Sequence, residues 1–258
     1  MFNACLTVDV ERRKHSNSYD EVLEDTSKLL DCLRPLCRAT FFVTGEIADQ
    51  KPEVVKTIVR EGHEVGCHGL HHEEFDTFPL SEQLRRISTA TDYLTNAAGS
   101  RPLGFRAPRH RANTSTIMTL ERLEYLYDSS VLPRTFFMRP QIRKKWRFLF
   151  APTEPYHPSR TNLVRCGDGK VIELPISTFI VPFVSKLSMR SNFASSMLVS
   201  ILASRARSRG LPVIYGMHSY DSVSAKEDLD WLKRTLHSLL KQGGRFITML
   251  ELAHVYAA

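Results

Sequence analysis

The chain has 258 residues, 42% of them hydrophobic and 24% charged, with a formal net charge of +7. That is apolar material for one large core, and the proportions exclude disorder, collagen and coiled coil. No run of about 18 uncharged apolar residues occurs, so a spanning helix is excluded, and five cysteines without a C-x-x-C pair argue against a disulfide framework or a structural zinc knuckle.

The sequence opens on MFNACLTVDV, strand-like almost at once. This leaves no room for a secretory leader and makes a cytoplasmic protein the expectation. Leu6 to Val8 reads as a strand, and Val22, Leu23, Leu29, Leu30 and Leu33 mark one face of a helix ending before Pro35. Ala39 to Val43 is a second strand. A helix with Pro52 in its first turn carries Val54, Val55, Ile58 and Val59 and stops at Gly62. EVGC is a third strand, Ser81 is the expected N-cap of a helix ended by Gly99, GFRA is a fourth strand, and Thr114 to Leu123 is helical.

After Asp128 the rhythm breaks. LVRC-GDGK-VIEL reads as a β-hairpin around Gly-Asp-Gly. The alternation resumes with a helix from Phe193 to Arg207, the strand LPVIYGM and a helix on Leu229, Leu232, Leu236, Leu239 and Leu240. The strand RFIT and a short helix behind a Thr248/Glu251 capping box complete it. About seven β-α units imply a parallel sheet covered by helices, an α/β fold, in a single domain spanning 1–258.

The charge is uneven. Nine basic residues against Glu154 and Asp168 lie between Pro133 and Lys170, a local excess equal to the whole +7. In this 133–170 insert, RPQIRKKWRFLFAP mixes Arg143, Lys144, Lys145 and Arg147 with Trp146, Phe148, Leu149 and Phe150. One reading is a solvated loop whose aromatics pack on the domain. The other is a patch for acidic headgroups, at the inner membrane surface, or for the phosphate of a lipid- or nucleotide-linked sugar. No nucleic-acid module is recognisable, so nucleic acid is not expected as a partner.

Polar residues gather where the predicted strands end. Asp9 and Glu11 follow the first, His68, His71 and His72 the third, Arg106 and Arg109 the fourth, then Asp128, while His218 ends the penultimate strand. In barrels and open α/β sheets those ends form the functional face. Each residue alone also reads as a cap, a surface charge or a satisfied core group. His68 and His72, four apart, face the same way on a helical turn and suit one divalent ion, with a carboxylate completing a facial set of three. Asp9 and Glu11 share a side of an extended chain, which invites one to the metal and one to general-base work.

TVDVE, GHEVGCHGLHH, GFRAPRH, YDSSV and IYGMHSY, in that order, resemble the five motifs of the NodB-type polysaccharide deacetylases, carbohydrate esterase family four. The likeness is strongest from Ala4 to Val131 and returns at IELPIST and from Leu211 to Val255. It implies a distorted (β/α) barrel and metal-dependent removal of an N-acyl group from an amino sugar of a polysaccharide or glycolipid. By this resemblance Asp9 is the general base toward the attacking water, His68 and His72 hold the metal, and Arg106 orients Asp9. Arg109, through its amide, with Pro108 and Met217 is expected around the substrate and its oxyanion. His218 is the general acid, with Asp128 to orient it. The implied cofactor is a divalent ion, zinc, with cobalt, manganese or nickel as alternatives.

Two positions depart from the family pattern. Val10 stands where a second, metal-binding aspartate is usual, and Glu11 is the replacement that strand geometry offers. Arg109 stands where an aromatic is usual, which suggests an acidic group near the substrate. Two alternatives remain: a deformylase or other non-peptide C–N hydrolase on the same fold, and a glycan-binding homologue without catalysis. Retention of Asp9, His68, His72, Arg106 and His218 argues against the second.

Overall fold

The computed structural model describes residues 1–13, 16, 18–134, 148–224 and 229–257. Its first half runs β1 (Phe2–Val10), α1 (Tyr19–Leu33), β2 (Thr40–Val43), α2 (Gly45–Gln50), α3 (Pro52–Arg60), β3 (Glu64–Cys67), α4 (Leu80–Ala98), β4 (Gly104–Phe105), α5 (Thr114–Arg122) and β5 (Tyr127–Asp128). After β6 (Pro158–Ser159), β7 (Asn162–Cys166) and β8 (Ile172–Glu173) come α6 (Ser185–Arg190), α7 (Asn192–Arg209), β9 (Val213–His218), α8 (Asp221–Ser224), α9 (Asp230–Lys241), β10 (Gly244–Phe246) and α10 (Met249–Ala257).

The main sheet has eight strands, all paired in parallel, in the order β10-β1-β2-β3-β4-β5-β8 with β9 on the other edge of β1. Between β8 and β9 the wall continues irregularly. Leu174 N–H donates to the Asp128 carbonyl, Ser177 N–H to that of Ile214, and Gly216 N–H to that of Phe183. This is the helix-covered parallel sheet that the alternation implied, curled into the (β/α) barrel that the family resemblance implied.

Strand alternation sorts the side chains into two layers. On β1 the even positions Ala4, Leu6, Val8 and Val10 join the large aliphatic cluster beneath the helices. Cys5 instead belongs to a second cluster with Phe42, Tyr127, Ile172, Leu174 and Ile214, which fills the barrel interior. Thr7 and Asp9 share the parity of Cys5 and face inward. The same parity carries His68, Arg106, Ser129 and His218 inward at their strand ends. Their predecessors Gly66 and Gly216 leave room there, since a Cβ would meet Phe42 at 2.6 Å and Ile176 at 2.8 Å respectively.

Three local readings need correction. LVRC does not pair with VIEL: β7 folds back antiparallel on β6, so the insert carries a different hairpin, and β8 joins the main sheet beside β5. Ile172, Glu173 and Leu174 are all buried, and a segment buried on both faces suits a central parallel position. The helix α4 is capped by Pro79 rather than Ser81, and ends as expected at Gly99 with φ 74°. The short α2 was not foreseen. The capping box before α10 is present: Thr248 N–H donates to Glu251 Oε2 at 2.8 Å and Glu251 N–H to Thr248 Oγ1 at 3.2 Å. Arg143, Lys144, Lys145, Trp146 and Arg147 lie outside the described residues; Phe148 is buried and Phe150 is 88% exposed. Among the described residues no two cysteines form a disulfide, and no helix is long and apolar enough to cross a membrane.

Candidate active site

Asp9, Glu11, His68, Arg106 and His218 meet at the C-terminal ends of β1, β3, β4 and β9. Adjacent strands make this possible: Asp9 is paired with His218 across β1 and β9 and with Phe42 across β1 and β2. His68 N–H donates to the Val43 carbonyl at 2.9 Å, and Arg106 N–H to that of Cys67.

Arg106 is fully buried and each nitrogen of its guanidinium donates a hydrogen bond. Nη1 donates to Asp9 Oδ1 at 2.8 Å and to Thr7 Oγ1 at 3.0 Å, Nε to the Ser129 carbonyl at 3.0 Å and Nη2 to Ser129 Oγ at 2.9 Å. Its carbon sits 4.3 Å from the centre of the Phe42 ring. Burial opposes ionisation of Asp9, but Arg106, with His68 and His218 behind it, outweighs burial and holds the carboxyl down at about 2.

Glu11, His68 and His72 each aim one ligand atom at a common point, all within 4.8 Å of one another. Val10, between the carboxylates, packs in the outer aliphatic layer, so Glu11 is the carboxylate that the chain offers beside Asp9. The histidines do not sit on a helical turn as expected. Residues 68–72 form a bend in which Gly69 takes φ 76°, and the first turn of α2 holds it: Gly45 N–H donates to the Gly69 carbonyl and Glu46 N–H to that of Leu70. His68 Nδ1 donates to the Arg106 carbonyl at 2.8 Å, which leaves Nε2 with a lone pair. That lone pair faces Glu11 Oε2 at 3.7 Å. Glu11 Oε2 is buried without a hydrogen bond, and His72 Nε2 closes on the same oxygen. Two imidazoles and one carboxylate converging in a buried pocket are a donor set for a divalent transition metal. Burial would raise the Glu11 pKa, yet His68, His72 and His218 push it well below the usual carboxylate range.

His218 lies across from this trio, its Nε2 3.9 Å from Glu11 Oε1 and its ring stacked on Tyr220 at 4.7 Å. Tyr220 Oη donates to Glu11 Oε1 at 3.3 Å. The carboxylate that faces His218 is Asp221, with Oδ2 3.6 Å from Nδ1 and accepting the His218 N–H at 2.9 Å. Ser185 Oγ donates to the same oxygen at 2.6 Å. Burial lowers the His218 pKa, but Asp221, Asp9 and Glu11 together carry it above the ordinary histidine value.

Asp128 therefore does not orient His218. Tyr127 points into the barrel, so the next side chain on the strand points to the opposite layer, where Asp128 accepts from Ser130 Oγ at 2.5 Å and neighbours Glu173. Met217 shares the parity of Val213 and Tyr215 and packs in the outer layer, so its side chain does not face the site. Pro108 is buried. Arg109 has φ 55°, and its exposed side chain turns toward Glu74 at 3.3 Å. Asp221, Ser129 and Thr7 were missed. His218-x-x-Asp221 at the start of a helix was a readable signal for the first, whereas the other two needed the inward parity.

The family model for polysaccharide deacetylases matches residues 7–127, the half that holds Asp9, Glu11, both histidines and Arg106. The chain is 34% identical over 104 residues to the peptidoglycan deacetylase-like protein FGM2 of Gibberella zeae, covering 40% of this chain and 31% of the relative. It is 37% identical over 87 residues to the peptidoglycan-N-acetylglucosamine deacetylase of Bacillus cereus, covering 33% and 32%. These alignments span about a third of each relative's length. A Mycobacterium smegmatis structure described as a polysaccharide deacetylase superposes with a TM-score of 0.74 at 21% identity, over 99% of this chain and 90% of that one. A family 4 carbohydrate esterase from Streptomyces lividans superposes with a TM-score of 0.55 at 18% identity, over 94% and 90%.

Proposed function

We propose that this chain, a member of the NodB-type polysaccharide deacetylases of carbohydrate esterase family four, hydrolyses the N-acyl group of an acylated amino sugar, with acetyl as the group removed. The observation that carries the reading is the meeting of three distinct devices at one barrel end: an ionised Asp9 on Arg106, a three-atom cation pocket, and a His218 whose pKa is raised by carboxylates.

The pocket of Glu11, His68 and His72 would hold a divalent cation, zinc by donor set, which supplies a water acidified to a pKa of about 7 and a Lewis acid for the acyl oxygen. Asp9 takes the proton from the attacking water as its oxygen adds to the acyl carbon. A carboxyl held at about 2 is a weak base, so it is effective only toward a water already acidified. Arg106 keeps Asp9 ionised and aimed. The tetrahedral oxyanion needs a donor beside the cation, and the Arg109 amide, in the turn after the Arg106-x-Pro108 motif, is assigned to it. His218, protonated, gives its proton to the sugar nitrogen as the C–N bond breaks, so a carboxylic acid and a free amine leave. Asp221 holds the imidazolium in place for that transfer.

The test is a release assay across acetylated and formylated amino sugars, monomeric and polymeric, with metal-loaded and chelator-treated protein. Acetate release that chelation abolishes and zinc restores supports the reading. Formate release in its place identifies the deformylase alternative. No release from any substrate by metal-loaded protein leaves the glycan-binding alternative.

A further inference from the structure

The solvent-facing side of α7 is apolar. Phe193 is 80% exposed and Met197, one turn on, 53% exposed, with Ile201 half-buried in the same row. The opposite side, from Ser195 through Leu198, Val199, Leu202 and Ala203 to Ala206, is buried. A surface helix ordinarily has one apolar stripe; α7 has two.

Within the α6–α7 segment the charge has one sign, while the neighbouring α9 opens on Asp230, 4.0 Å from Lys233. From Leu174 to Tyr220 there is no Asp or Glu, whereas Lys186, Arg190, Arg205, Arg207 and Arg209 all fall there. The chain outside Pro133–Lys170 sums to zero only because acidic residues elsewhere balance this segment. Lys186 and Arg190 are exposed, and neither forms an ion pair among the described residues. Arg234 of α9 donates to Asn192 Oδ1 at 3.2 Å, next to Phe193. A carboxylate meets the segment at the far end of α7, where Arg209 lies 3.5 Å from Glu154.

The position relative to the site is fixed by chain direction. The helix α7 leads through a short turn into β9, so the two run antiparallel and the first turn of α7 lies at the end where β9 presents His218. Ser185, the first residue of α6, is bonded to Asp221 there.

We propose that α6 and the first turns of α7 are a docking surface for an anionic lipid bilayer. Phe193 and Met197 enter the headgroup boundary, and Lys186, Arg190 and Arg234 meet acidic headgroups. A second copy of this chain is a poor occupant, because a two-fold contact would set the same cations against each other. The segment 135–147 is equally unsuited, since it carries Arg139, Arg143, Lys144, Lys145 and Arg147 and no acidic residue. A soluble polyanion would have no use for the aromatic and thioether side chains. Docking in this pose turns the mouth of the barrel toward sugars anchored at the membrane surface.

The experiment is sedimentation of the full chain with vesicles of phosphatidylcholine alone or mixed equally with phosphatidylglycerol, at low and high salt. Binding to the mixed vesicles only, weakened by salt, is expected. Phe193→Ser/Met197→Ser and Lys186→Ser/Arg190→Ser should each lower it about tenfold, with unchanged melting temperature and unchanged turnover on a water-soluble substrate. The idea is overturned by equal binding to neutral vesicles, by no binding to either, or by unchanged binding of Phe193→Ser/Met197→Ser. A concentration-dependent dimer that this double variant abolishes overturns it too, in favour of a second copy. Vesicle binding is read without substrate, so its failure and the failure of the hydrolase reading are separate outcomes.

Discussion

Asp9 and Asp128 are buried aspartates at strand ends of one sheet, 6% and 0% exposed, and they are driven in opposite directions. Burial pushes both carboxyls up. At Asp9 the Arg106 guanidinium at 2.8 Å reverses this and holds the group at about 2. At Asp128 burial prevails over the bonds from Ser130 and Glu173 and over the more distant Arg106, and at Glu173 burial is joined by the Asp128 charge, so both acids are raised and favour a shared proton. Depth raises a buried carboxyl unless a counter-charge within hydrogen-bond reach reverses it, as Arg106 does at Asp9.

The most severe way to break the contrast is Arg106→Met. It leaves Asp9 buried without its counter-charge and Ser129 without a donor, and should cost about 3–5 kcal/mol of stability and remove turnover. Calorimetry and acetate release read the two losses, and a variant with native melting and measurable turnover would show that Arg106 does not set the state of Asp9. Asp9→Asn and His218→Ala should each lower kcat by about 10²–10⁴ while the far-ultraviolet circular dichroism stays native. Near-wild-type turnover in either removes that residue from the mechanism.

Asp221→Asn is milder, about ten- to a hundredfold in kcat. It also has a direction in pH. In the proposed mechanism His218 acts protonated, so activity is expected to fall as pH rises through its raised pKa. Removing the Asp221 charge lowers that pKa and moves the alkaline limb to lower pH. A limb that stays in place in the pH–kcat profile would show that Asp221 does not tune His218.

Glu173→Gln is the smallest effect and sharpens the other side of the contrast. In the folded chain the Asp128–Glu173 pair keeps a proton that unfolded carboxyls release near about pH 4. The native state therefore binds more protons, and stability falls as pH rises from there through the raised folded values. Gln keeps an acceptor for the Val131 N–H, now held by Glu173 at 2.9 Å, and offers Asp128 a donor. A melting temperature a few degrees higher at neutral pH, with little gain in acid, is expected. An unchanged difference between acid and neutral pH would mean that the pair shares no proton.

Much of this was readable along the chain. The ends of α1, α3, α5, α7 and α9 fall within one or two residues of the periodic apolar pattern, because helix faces and caps are local. The pairing of β7 was not, since Gly-Asp-Gly allows a turn but does not choose which strand takes the partner. At the site, Asp9, Glu11, His68, Arg106 and His218 were identified by type and by their place after strands. Asp128 and Met217 failed for one reason: each stands at a strand end, but on the parity that faces the helices. The helical turn expected for His68 and His72 is a glycine bend held by α2, a contact between segments that spacing does not encode.

By itself, then, the order of residues determined that strands and helices would alternate, and which chemical groups would end the strands, because those properties depend on periods of two and 3.6 along the backbone. Only the tertiary structure decided which of those groups face one another. That choice rests on hydrogen bonds between strands distant in the chain, as where β9 sets His218 beside Asp9. A shift of one residue in such a register turns an inward carboxylate outward.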